Sequence, residues 1–182
     1  MDPLELLKQG NSRFASGKPV AKNLVARRAE LVSGQKPFAI ILTCSDSRVA
    51  PEHIFDAGLG DIFVVRNAGN LASQVALGSI EYAAEHLGST LLVVMGHESC
   101  GAVKAACSSD HAEGNIDAIV KELQVAVKLG GKDPAKVVGE NVKCVLKNIR
   151  KKSSILSHLE KGGKLKILGA VYSLSTGTVS YL

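Results

Sequence analysis

Tryptophan is absent from this chain of 182 residues, and the other large aromatics amount to four Phe and three Tyr. A surface that stacks nucleotide bases needs aromatics interleaved with Lys and Arg. Here the formal charge of +5 is scattered, or sits in small groups such as Arg27-Arg28 and Arg150-Lys151-Lys152. Those groups read as solvated helix faces, and nucleic acid is excluded as a partner. No apolar run approaches the ~18 residues a membrane helix requires. The opening "MDPLELLKQGN" lacks a basic start and an apolar h-region, so a secretory signal is not expected and the setting expected is cytoplasmic. Pro/Ser-rich linkers, low-complexity stretches and internal repeats are also missing. One domain over residues 1–182 is therefore expected, long enough to bury a sizeable core.

The chain does have short continuous apolar runs, which end on unusual residues. Phe38 to Thr43, Asp61 to Arg66 and Thr90 to Gly96 read as strands covered on both faces. Residues 2–17 read as an amphipathic N-terminal helix, and a second helix is expected near Val25 to Ser33. Together they make residues 1–34 a helical arm suited to packing on a partner subunit. Helical spacing recurs in Ala76, Ile80, Ala83 and Leu87, in Ile116, Ile119, Val120, Leu123 and Val127, and in Val138, Val142, Val145 and Ile149. "SSILSHLEKGG" has a Ser start and a Gly-Gly stop, and "KLKILGAVYSLSTGTVSYL" reads as a strand, a turn at Ser175-Thr176-Gly177 and a short closing strand. Strands alternating with helices predict an α/β domain with a mainly parallel sheet flanked by helices.

In such sheets ligands gather beyond the carboxyl ends of the strands. The first run ends in "CSDSRV", Cys44 to Val49, and the third in "GHESC", Gly96 to Cys100. A thiolate at Cys44, an imidazole at His97 and a thiolate at Cys100 form a three-ligand set suited to zinc, one ion per chain. In a reducing compartment, cysteines grouped with histidine point to metal rather than to a disulfide. The fourth vertex falls to water or to the Asp46 carboxylate. An Asp46–Arg48 fork would hold that carboxylate off the metal. Cys107 and Cys144 lie apart from the cluster, inside helical patterns, and read as buried small hydrophobes.

"CSDSRV", "FVVRNAGN" and "GHESCGAV" together resemble the beta-class carbonic anhydrases. The likeness extends from "GNSRFASGKP" through "SIEYAAEHLG" to "VYSLSTGTV". The resemblance implies zinc-dependent hydration of CO2 to bicarbonate and a proton, with a metal-held hydroxide as nucleophile. Cys44, Asp46, Arg48, His97 and Cys100 fill every position of the family signature. It further implies a substrate pocket of Phe63, Tyr82 and the Gly101 N–H, with Gln35 reaching across a homodimer or a dimer of dimers, and proton export by His86. Ala68 stands where a larger aliphatic residue is common, and Gly69 where alanine is. A closed, bicarbonate-regulated branch carries Trp three residues before the first Cys. Ile41 stands there instead, so the open, plant-like branch is expected; Arg66 occurs in both. Relatives that hydrolyse carbonyl sulfide or carbon disulfide on the same zinc site are the alternative, as is a non-catalytic zinc-binding scaffold.

Overall fold

A computed structural model describes residues 1–182. Three all-apolar or nearly apolar runs form parallel strands at its centre: β1 (Ala39–Cys44), β2 (Ile62–Asn67) and β3 (Leu91–His97). β4 (Lys166–Tyr172) continues the parallel sheet, and β5 (Val179–Tyr181) closes it antiparallel after the turn at 174–176. The spatial order is β2-β1-β3-β4-β5. β1 and β3 are buried at every position, as strands covered on both faces must be, whereas edge strand β2 is mostly half-buried.

Each of the first three strands runs one residue further toward its carboxyl end than the apolar pattern indicates. Cys44 pairs with Asn67, and His97 with Tyr172. The ladder continues onto these polar residues because their backbone still finds a partner strand. The two candidate ligands are thus the last residues of β1 and β3, inside the hydrogen-bonded sheet. From β1 the chain crosses one way to β2 and the other way to β3. That reversal opens a crevice at the strand ends, where both ligands lie.

Helices cover both faces. α1 (Pro3–Ala15) and the single turn α3 (Pro51–Ile54) pack on one, against Ile41, Val93 and Met95. α4 (Gln74–Glu85), α7 (Pro134–Lys152) and α8 (Ser154–Lys161) pack on the other, against Ile40, Leu42 and Val94. α5 (Gly101–Ser108) and α6 (Ile116–Gly130) close a third core over Cys44 and Cys100. Caps fix the ends. Asp133 accepts from Ala135 N–H at 3.0 Å, with Pro134 in the first turn, and the basic trio 150–152 sits in the last turn of α7, where it complements the helix dipole. α4 stops at Glu85 rather than running to Leu87, because Gly88 adopts a left-handed φ of 72° and turns the chain.

The helical arm divides in two. α1 is docked on its own chain: Leu7 is fully buried, and the Asn11 amide donates to the carbonyls of Ile54 at 3.1 Å and Gly177 at 2.8 Å. α2 (Leu24–Glu30) and the 3₁₀ turn Leu31–Ser33 have no buried residue. Within residues 1–34 it is the part after α1 that the single chain leaves without a covering surface. One further expectation is corrected. Cys107 and Cys144 are half-buried on α5 and α7 rather than fully buried, because both face the rim of the third core.

Candidate metal centre

Cys44 arrives on β1, His97 on β3, and Cys100 as the N-cap of α5, three residues after His97. All three are buried, and their ligand atoms lie within 4.8 Å of one another. The two sulfurs are 4.0 Å apart. Thiolates about 2.3 Å from a tetrahedral zinc ion stand roughly 3.8 Å apart. The imidazole is oriented by its neighbour, with Nδ1 2.8 Å from the Glu98 carbonyl. Nε2 is left buried without any partner. A buried polar atom in that condition costs about 1–3 kcal/mol unless something binds it. Two soft donors and one imidazole nitrogen are the set zinc prefers, so the residues present fit that ion.

Charge in the cluster is in conflict. The Cys100 side chain, the His97 ring and the Gly69 N–H (3.4 Å from Cys44 Sγ) together outweigh burial and hold the Cys44 thiol well below the usual thiol range. Cys44 and burial push the Cys100 thiol well up. Two thiols this close do not both ionise in a dry pocket, and a divalent cation resolves the conflict because a coordinating thiol is deprotonated outright.

Asp46 stands beside the trio with Oδ2 3.9 Å from His97 Nε2. Arg48 grips it in a fork: Nε to Oδ1 at 2.9 Å and Nη2 to Oδ2 at 2.7 Å, with the Arg48 N–H also donating to Oδ1 at 2.9 Å. Those bonds hold the carboxyl far below the usual carboxylate range. Arg48 Nη2 also reaches the Ser99 carbonyl at 3.3 Å, which ties the Asp46 loop to the loop between His97 and Cys100. Arg66, from β2, donates to the carbonyls of Cys44 at 3.0 Å and Asp46 at 2.8 Å. Its support of the first loop is visible only once β2 is placed beside β1.

The remaining residues are distributed less simply. Gly101 opens α5 next to Cys100, its N–H among the unpaired donors of a first helical turn. Phe63 pairs with Ile40, four strand positions back from Cys44, or roughly 13 Å. Its ring lies 6.5 Å from that of Tyr82, which lies 5.5 Å from that of His86. This aromatic row, half-buried at Phe63 and exposed at Tyr82 and His86, does not line the Cys44 cluster of its own chain. Gln35 is exposed in the connection before β1, at the opposite end of that strand from Cys44. Gly69, given no role from sequence, turns out to touch the Cys44 sulfur.

Comparison with known proteins agrees with this geometry. Residues 39–179 match the family model described as carbonic anhydrase. Carbonic anhydrase 2 of Mycobacterium tuberculosis is 43% identical over 180 residues, covering 94% of this chain and 87% of the relative. The carbonic anhydrase of Mycolicibacterium smegmatis is 41% identical over 182 residues, covering 95% and 88%. Among solved structures, the beta-carbonic anhydrase CafA of Aspergillus fumigatus superimposes with a TM-score of 0.78 at 26% identity, covering 94% of this chain and 89% of that one. The Coccomyxa beta-carbonic anhydrase in complex with acetazolamide gives 0.77 at 28%, covering 98% and 84%. With Cys44 and His97 at the carboxyl ends of β1 and β3, Cys100 at the start of α5 and the family-model match over residues 39–179, the chain belongs to the beta-class carbonic anhydrase family.

Proposed function

We propose that Cys44, His97 and Cys100 hold one zinc ion and that the protein catalyses the reversible hydration of CO2 to bicarbonate and a proton. The observation that carries this reading is His97 Nε2, buried and unpartnered between two thiols and beside a carboxylate that is already engaged. When bound, zinc supplies the Lewis acidity that makes a water molecule nucleophilic near neutral pH. Asp46 is the acceptor that orients that water, and Arg48 keeps the carboxylate turned toward its own guanidinium. The Gly101 N–H faces a substrate oxygen from the start of α5.

Gln35, Phe63 and Tyr82 are assigned to the neighbouring subunit's pocket, with His86 at its mouth as the proton exit. Two features support a homodimer, or a dimer of dimers. β2 is an edge strand whose open side needs covering, and Leu24, Val25, Val32, Val75 and Tyr82 are all exposed on the single chain. The four free thiols fit a reducing, cytoplasmic setting. No helix is long and apolar enough to cross a membrane.

Stopped-flow CO2 hydration tests the reading directly. Chelation should abolish hydration and zinc should restore it. Equal rates with and without metal would overturn the zinc mechanism. Hydrolysis of carbonyl sulfide in preference to CO2 hydration would replace the substrate while keeping the metal centre.

A further inference from the structure

α7 carries an apolar stripe of Val138, Val142, Val145 and Ile149 into the core, and one residue in its buried face is out of character. Asn141 is 2% exposed. A buried amide costs free energy unless it is hydrogen-bonded, so its single strong contact is informative. Asn141 Nδ2 donates to the Gly69 carbonyl at 2.8 Å, across 72 positions of sequence. Gly69 has a φ of 77°, and Asn70 after it a φ of 48°, so this turn is left-handed at two successive residues. Asn tolerates this region better than most residues, and the Asn67 side chain closes the turn locally, bridging the Leu71 N–H at 2.6 Å and its carbonyl at 2.8 Å, so Asn141 is the anchor that ties the turn to α7. The Gly69 N–H then points at the Cys44 sulfur, 3.4 Å away.

The placement of Asn141 is itself rigid. A Cβ on Gly96, the residue before His97, would come within 3.0 Å of both Val138 and Val142. α7 is therefore pressed against β3 next to one ligand, while its Asn141 reaches the turn that touches another.

We infer that Asn141 is a positioning residue for the metal centre. It fixes the 69–70 turn so that the Gly69 N–H donates to the Cys44 thiolate, which aims that sulfur and draws off part of its charge. The inference rests on Cys44 being a metal ligand. Partners that orient a ligand in this way typically alter metal affinity about 10- to 100-fold when removed.

The experiment uses full-length protein loaded with cobalt, read by the sulfur-to-cobalt charge-transfer absorption and by the rate of metal release to a chelator. Asn141→Leu, similar in volume but without a donor, should shift the absorption and speed release by about 10- to 100-fold. Val145→Ala is the control. It removes volume from the same helix without contacting Gly69, so it should lower thermal stability and leave both metal readouts in place. If Asn141→Leu does not yield folded protein, Asn141→Ser withdraws the donor by a shorter change and carries the same expectation. Unchanged absorption and release in the Asn141 variant, or an equal change in Val145→Ala, would overturn the inference. Absence of any sulfur-to-cobalt band in the wild type would instead remove Cys44 as a ligand, and the proposal with it.

Discussion

Two buried polar clusters pin loops of this protein, and they are satisfied to different degrees. Around Asp56, one carboxylate with a nearly buried side chain accepts from Arg13 Nε at 2.6 Å, from the Val20 N–H at 3.1 Å and from Lys22 Nζ. Its bonds are complete within the chain. It ties α1 and the segment after it to the end of α3. Around Cys44, by contrast, two thiols compete for one charge and the imidazole Nε2 has no partner. A saturated cluster is self-contained and structural. One that leaves a donor set open at the end of two central strands is completed only from outside. The first acts on stability and the second on chemistry.

Removing a ligand tests that division with the largest effect. Cys44→Ala and Cys100→Ala should each take zinc from about one ion per chain to almost none, because two ligands do not make a retentive site. Hydration should vanish while the fold persists. Metal analysis after dialysis, paired with circular dichroism, measures both. Stoichiometric zinc in either variant would break the comparison.

Releasing the neighbouring carboxylate comes next. Arg48→Ala frees Asp46 to turn toward Cys44, His97 and Cys100, and zinc should be retained while hydration falls at least ~10²-fold, because a carboxylate in the fourth position leaves no open place for water. Asp46→Asn should also slow hydration. In cobalt-loaded protein its spectrum should still respond to added anions, whereas the Arg48→Ala spectrum should not.

At the saturated cluster the expected change is in stability alone. Asp56→Asn should cost about 2 kcal/mol, a loss typical of hydrogen bonds to a charged group, because Arg13 and Lys22 are partly exposed and can be rehydrated. Chemical denaturation measures it, with zinc content unchanged. Burial pushes the Asp56 carboxyl up, but Lys22, Arg13 and the Val20 N–H outweigh it and hold the value at about 2. The folded value lies below the ~3.9 of an unfolded Asp, so the stabilisation is complete above pH ~4 and is lost as pH falls toward 2. Asp56→Asn should remove that part of the acid dependence.

The smallest effect belongs to Cys107→Ser and Cys144→Ser. Both thiols are half-buried, away from the trio, and pushed up by burial. Zinc content and hydration should match the wild type.

How much of this is legible in sequence follows from the range of each interaction. Strands β1 and β3 are continuous apolar runs, and their terminal Cys44 and His97 carry distinctive chemistry, so the crevice between them can be read directly. α5 is not legible in the same way. It starts directly after Cys100, is eight residues long, and buries only Val103 and Ala106. The Asn141–Gly69, Arg66–Cys44 and Arg13–Asp56 bonds join residues 72, 22 and 43 positions apart. Asn, Arg and Asp at those positions look like any solvated polar residue until the sheet order is known. The one-residue extension of each strand has the same origin, since a ladder ends where its partner ends and not where apolarity does.

The His97 ring takes its aim from a main-chain oxygen, the carbonyl of Glu98. Every amino acid placed at position 98 brings the same carbonyl, so no side-chain replacement there deletes the acceptor. A saturation scan would register the loss of the carboxylate's own bonds, from Ser173 Oγ at 2.9 Å and the Ser175 N–H at 3.2 Å, and would miss the backbone oxygen that orients the imidazole. The dependence becomes visible only through backbone chemistry, as when an ester linkage weakens that oxygen as an acceptor.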